Sequence, residues 1–117
     1  MLGKIFSALF KGKPILVPNS SRLQEGEAKN VDLGDIAAGA KRLVLCRVEG
    51  KLYALDSQCP HENGRLSQGK LNQGKYALCP LHNYLFDPKD GAVVRGACRK
   101  ATTYRVEEKD DTATIYV

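Results

Sequence analysis

No stretch of this 117-residue chain is apolar for more than a few residues, against the roughly 20 that a membrane-crossing helix needs. No transmembrane span is therefore expected. The apolar stretch over residues 5–10 is broken by Ser7, is short for a secretory signal, and lacks a small-residue cleavage site. A cytoplasmic, reducing location is the expectation, and four cysteines in such a place read as metal ligands or buried thiols rather than as a disulfide framework. No basic stripe interleaved with aromatics runs through the body, so no nucleic-acid partner is expected. No Gly-x-Gly-x-x-Gly occurs, which removes a flavin or nicotinamide site of that type. Gly34-x4-Gly39 is followed by Ala40 where a phosphate loop needs lysine. Repeats and low-complexity tracts are absent too. Histidine is scarce, with His61 and His82 alone.

What remains is an ordinary composition, 43% hydrophobic and 26% charged, at a length that holds one domain. The net charge of +5 is unevenly spread. Residues 1–22 carry Lys4, Lys11, Lys13 and Arg22 with no acid, while the 14 basic and 13 acidic residues beyond them nearly cancel. Within that basic arm, Met1, Leu2, Ile5, Phe6, Leu9 and Phe10 recur at helical spacing, which predicts a short amphipathic helix over residues 1–13, ended by Gly12 and Pro14. Such a face packs on its own domain or gives weak contact with a membrane surface or a partner.

From residue 14 to residue 117 the pattern is that of an all-β domain. Short strands are expected over residues 15–17, 41–48, 51–56, 75–79, 85–87, 92–95, 101–106 and 112–117. Glu49-Gly50 signals a hairpin, and Pro88-Lys89-Asp90-Gly91 a type I turn. Frequent turns between short strands indicate an antiparallel β-sandwich or barrel. Along residues 43–48, Leu43 and Leu45 alternate with Val44, Cys46 and Val48, which makes Cys46 a buried thiol.

The chemistry lies in Cys59-Pro60-His61 and, seventeen residues on, Cys79-Pro80-Leu81-His82. A lone histidine or cysteine reads first as a core residue. Two Cys-Pro pairs that use both histidines of the chain, each beside a predicted strand, read as a metal centre. Structural zinc also accepts two cysteines and two histidines, usually with two to four residues between the cysteines. Here cysteine and histidine alternate, with spacers of one and two residues, which suits a two-iron centre better: one iron takes both thiolates and the other both imidazoles.

Cys59-x-His61-x17-Cys79-x2-His82 resembles the Rieske signature, in the form carried by ferredoxins of aromatic-ring oxygenase systems. The resemblance extends to the strand over residues 51–56, to Leu66-Ser67-x-Gly69, to Phe86-Asp87 and to Gly91, and it runs from about residue 14 to the C-terminus. It implies a Rieske-type β-sandwich with a cluster-binding subdomain at about residues 57–98 and one [2Fe–2S] cluster. It further implies that Cys59 and Cys79 bind the inner iron, and that His61 and His82 bind the outer iron through Nδ1, with Nε2 at the surface as the electron exit. The implied role is a small electron carrier rather than an enzyme, between a flavin-dependent reductase and a terminal oxygenase. Cys79-Pro80-Leu81-His82-Asn83 also resembles the small subunit of assimilatory nitrite reductase, and a redox-sensing module is a third reading. A catalytic Rieske oxygenase needs two further histidines and a carboxylate for its mononuclear iron, and no histidine is left over.

The departures carry information as well. Rieske proteins of respiratory complexes have an extra cysteine in each loop, joined as a disulfide, where this chain has Gly64 and Leu81. Their serine and tyrosine hydroxyls correspond here to Tyr84 and Phe86. Asn63 stands where related ferredoxins have glycine, and the third covering loop, near residues 96–100, lacks proline. Cys98 is expected near the centre but outside its ligand set. With fewer hydroxyl donors to the reduced cluster, voltammetry should find a reduction potential near the lower limit of the roughly −150 to +300 mV Rieske range. A potential in the upper half of that range would contradict the assignment of lost donors.

Overall fold

Residues 13–61 and 64–117 are those the computed structural model describes, and the regular elements among them are strands and two short 3-10 turns. In chain order the strands are β1 (Pro14–Pro18), β2 (Glu27–Asp32), β3 (Arg42–Val48), β4 (Lys51–Asp56), β5 (Gly69–Lys70), β6 (Ala77–Cys79), β7 (Tyr84–Phe86), β8 (Val93–Arg95), β9 (Thr103–Lys109) and β10 (Thr112–Tyr116). The amphipathic helix expected over residues 1–13 lies outside the described residues except for Lys13, which exchanges main-chain bonds with Val117 and extends the β1–β10 ladder. The all-β expectation holds.

Two antiparallel sheets form: seven strands in the order β1-β10-β9-β4-β3-β2-β5, and three in the order β6-β7-β8. The expected hairpin at Glu49-Gly50 joins β3 to β4 with Val48 opposite Lys51, and both turn residues take positive φ. The Glu25 carboxylate accepts from the Glu49 and Gly50 N–H groups and steadies that turn. Two strands were not anticipated. β2 pairs along β3 from Ala28–Cys46 to Asp32–Arg42, and the two-residue β5 borders it.

Because side chains alternate along a strand, a strand covered on both faces can serve two cores. β3 does so. Leu43 and Leu45 pack with Val17, Leu52, Ala54, Ala113 and Ile115, while Val44, Cys46 and Val48 pack with Leu55, Leu66, Ala77 and Phe86. The second of these cores also contains Cys59 and Cys79, so the three-stranded sheet and the loops around it close over one face of the large sheet.

Leu45 is fully buried and Leu16 is 67% exposed. Leu45→Ala is expected to lower unfolding stability by about 3 kcal/mol through transfer and cavity costs, and Leu16→Ala by less than about 0.5 kcal/mol. Urea unfolding followed by circular dichroism measures both, and equal losses would contradict the burial of Leu45 in that core.

Candidate metal centre

Two loops bring the four expected ligands together. β4 runs into the first, which closes on itself through bonds from the Cys59 N–H to the Gly64 carbonyl (2.9 Å) and from the Leu66 N–H to the Ser57 carbonyl (2.7 Å). A bond from the Ser67 N–H to the Leu78 carbonyl (2.8 Å) ties that loop to β6. The second loop is the turn of the β6–β7 hairpin, where Cys79 pairs with Tyr84. Asn83 reverses the chain there at φ 57°, a left-handed conformation that asparagine tolerates better than most residues.

The donors separate by depth. Cys59 and Cys79 are 2% and 0% exposed, and their side chains lie within hydrogen-bonding reach of each other. Burial pushes the Cys79 thiol up from its ordinary value, and the backbone N–H groups of Leu81 and His82, donating to its sulfur, act in the opposite direction. His61 is half-buried and His82 is exposed. Their Nδ1 atoms face each other at 3.4 Å, with ring centroids 4.9 Å apart and planes at 67°. Two thiols are thus buried, and the two imidazoles lie nearer the surface.

The residues between the loops are fitted closely. A Cβ on Gly64 would sit 2.6 Å from Cys79 Sγ and 3.2 Å from the Leu81 Cβ, so only glycine lets the first loop approach the sulfur this closely. The Ser57 hydroxyl, fully buried two residues before Cys59, has no partner among the described residues and leaves a spare donor in the same loop. Asn63 lies outside the described residues.

Tyr84 has a role that the sequence reading missed. Its ring stacks on His61 with centroids 4.0 Å apart and planes within 13°. Gly96, at φ 116° in the third loop, lies against the other part of that ring, and any Cβ there would overlap it. The sequence pointed to Tyr84 as a replaced hydroxyl; the stack depends on tertiary placement that spacing does not encode. Cys46 is buried as expected, its thiol pushed up to about 12 by burial, and Cys98 packs half-buried against the same core as Cys59 and Cys79.

The donor set suits two metal positions. The four donors form a sulfur pair, Cys59 with Cys79, and a nitrogen pair, His61 with His82. A tetrahedral zinc site draws all four about one point. A two-iron cluster of mixed ligation takes one pair on each iron.

The chain is similar to known proteins in sequence and in fold. The family model described as Rieske [2Fe–2S] domain matches residues 13–107. Over 77 residues the chain is 36% identical to the ferredoxin component of the naphthalene 1,2-dioxygenase system of Pseudomonas putida, covering 65% of this chain and 73% of that protein. Over 83 residues it is 36% identical to the 3-phenylpropionate/cinnamic acid dioxygenase ferredoxin subunit of Escherichia coli strain K12, covering 70% and 73%. A chain of the solved complex of reduced oxygenase and oxidised ferredoxin in carbazole 1,9a-dioxygenase superposes with a TM-score of 0.75 at 27% identity, covering 88% of this chain and 92% of that one.

Gly64→Ala is expected to push the loops apart at Cys79 and to weaken iron retention against a chelator roughly tenfold, with the strand content unchanged by circular dichroism. Retention equal to wild type would show that the close approach at Gly64 is dispensable.

Proposed function

The chain belongs to the Rieske [2Fe–2S] domain family, and on that premise we propose that it is the ferredoxin component of an aromatic-ring oxygenase system, passing single electrons from a flavin-dependent reductase to a terminal oxygenase. The observation that carries this reading is the pairing of donors in two neighbouring loops: the Nδ1 atoms of His61 and His82 face each other at 3.4 Å, while Cys59 and Cys79 are buried within reach of each other. Cys59 and Cys79 would hold the inner iron, and His61 and His82 the outer iron through Nδ1. The cluster, when bound, supplies a centre that takes up and releases one electron.

The protein residues divide the remaining work. Leu66, Ala77, Phe86 and Ala101 belong to the buried core that also holds the thiols and keeps them from water. The N–H groups of Leu81 and His82 direct positive dipole at the Cys79 sulfur, which favours its ionised, metal-binding form. Tyr84 fixes the plane of the His61 ring by stacking on it, so that Nδ1 keeps its direction. His82 stands exposed, and a partner can approach the imidazole edge without displacing the fold. No histidine beyond these two exists in the chain, so oxygen activation belongs to the partner.

The same reading places the cluster-binding part at about residues 57–98 of a domain running from residue 14 to 117, with residues 1–13 as an arm. A cytoplasmic compartment suits it, because free thiols are needed to load the site. Among the described residues no helix is long and apolar enough to cross a membrane.

Electron paramagnetic resonance on the dithionite-reduced protein is the test. The rhombic signal of a two-iron centre with mixed sulfur and nitrogen ligation is expected. It should vanish or change form in His61→Cys and His82→Cys and persist in Cys46→Ser. Colourless protein that contains zinc, or loss of the signal in Cys46→Ser, would overturn the assignment.

A further inference from the structure

The charges around the cluster loops differ from those of the body. In the body, cations meet carboxylates: Arg42 with Asp32, Lys41 with Asp56, Lys89 with Glu49, and Arg47 with Glu108. The end of β8 and the loop after it hold Arg95, Arg99 and Lys100, all exposed, and none of the three meets a carboxylate among the described residues. Across the three loops around the centre, residues 57–69, 79–84 and 95–101, the sequence has four basic residues and one acid, Glu62.

This basic loop is part of the site. Gly96 lies against the ring of Tyr84, which stacks on His61, and Cys98 packs into the core that holds Cys59 and Cys79. Apart from Leu16 in β1, the large apolar residues most exposed among those described are Leu81, 49% exposed and next to His82 in the second loop, and Val94, 48% exposed and next to Arg95 in β8. An apolar contact next to an electron exit, with unpaired cations at its edge, is the anatomy of a transient, electrostatically steered interface.

We propose that the docking face of this carrier is built from His82, Leu81, Val94, Arg95, Arg99 and Lys100, and that it fits a redox protein presenting carboxylates around an apolar contact. The assignment rests on the carrier reading and adds the sign of the partner's surface to it. Complementary charge speeds diffusional encounter and does so less as salt rises.

Two variants of equal charge change test it on the cluster-loaded protein. One reverses the loop (Arg95→Glu, Arg99→Glu, Lys100→Glu). The other reverses exposed lysines elsewhere (Lys29→Glu, Lys75→Glu, Lys109→Glu). In stopped flow, one electron passes from the dithionite-reduced protein to ferricyanide, which becomes ferrocyanide. Between about 0.01 and 0.15 M ionic strength the Debye length falls from about 30 to about 8 Å. Wild type and the remote variant should slow roughly tenfold over that interval, and the loop variant should show no slowing or a rise. Loop and remote variants that respond alike would overturn the proposal. In a second arm, labelled poly-L-glutamate should bind wild type and the remote variant and bind the loop variant severalfold more weakly by fluorescence anisotropy. Binding to phosphatidylglycerol vesicles without binding to poly-L-glutamate would instead overturn the acidic-protein assignment. The visible spectrum is read first: its absence fails the carrier reading, and the poly-L-glutamate arm, which needs no cluster, still decides the docking face.

Discussion

The constraint that organises this protein is a difference in depth between neighbouring side chains. Each loop must place a sulfur inside the core and a ring nitrogen at the surface within two or three residues. In the second loop, strand geometry accomplishes this. Cys79 is the last residue of β6, and its inward side follows from the alternation that also buries Ala77. The chain then leaves the sheet, and three residues later His82 lies on the outside of the turn that Asn83 closes. The first loop does the same at the end of β4, where Asp56 gives way to the buried Ser57 and Cys59 before the chain rises to His61. Soft donors inside and imidazoles outside are thus a consequence of where two strands stop.

The body makes that placement reproducible. β3, buried on both faces, joins a core made with β1 and β10 to one made with the cluster loops, so neither can shift without the other. Arg47 adds a partly buried junction: it donates to the Leu23, Gly50 and Ser20 carbonyls and to both oxygens of Glu108. An exposed ion pair contributes about 0–1 kcal/mol. Arg47 does more by satisfying turn carbonyls than by pairing charge, whereas the exposed pair between Lys89 and Glu49 has little to offer beyond solubility.

Much of the candidate site was legible because the chemistry expected of it needs few residue types at narrow spacing. Both histidines of the chain fall in it, and the strands beside them are marked by Gly, Pro and Asn turns. β2 was not legible for a physical reason. Its sequence, Glu-Ala-Lys-Asn-Val-Asp, fully buries only Ala28 and packs Val31 in part against the other core, and two apolar residues three apart leave almost no period-two pattern to read. β5 is two residues long and exists only through its ladder with β2. The stack of Tyr84 on His61 joins residues of two loops, and neither loop's local pattern specifies the other's ring. Cys46 was legible because its strand alternates cleanly. The expected N-terminal helix falls on residues outside those described.

The missing disulfide shows how the loops are held. Gly64 and Leu81 stand where the respiratory-type proteins have their paired cysteines, and in this fold the two positions are neighbours: a Cβ on Gly64 would be 3.2 Å from that of Leu81. The site of the bridge is therefore retained as a packing contact. A bridge closing a loop of this size would contribute about 3 kcal/mol, whereas a half-exposed leucine resting on glycine contributes about 1 kcal/mol. The main-chain bonds of the first loop and the Tyr84–His61 stack also hold the loops in place. Metal binding at such a site is coupled to closure of the loops. A carrier built this way needs no oxidation to mature, and the glycine that leaves room for the leucine also leaves room for the sulfur of Cys79.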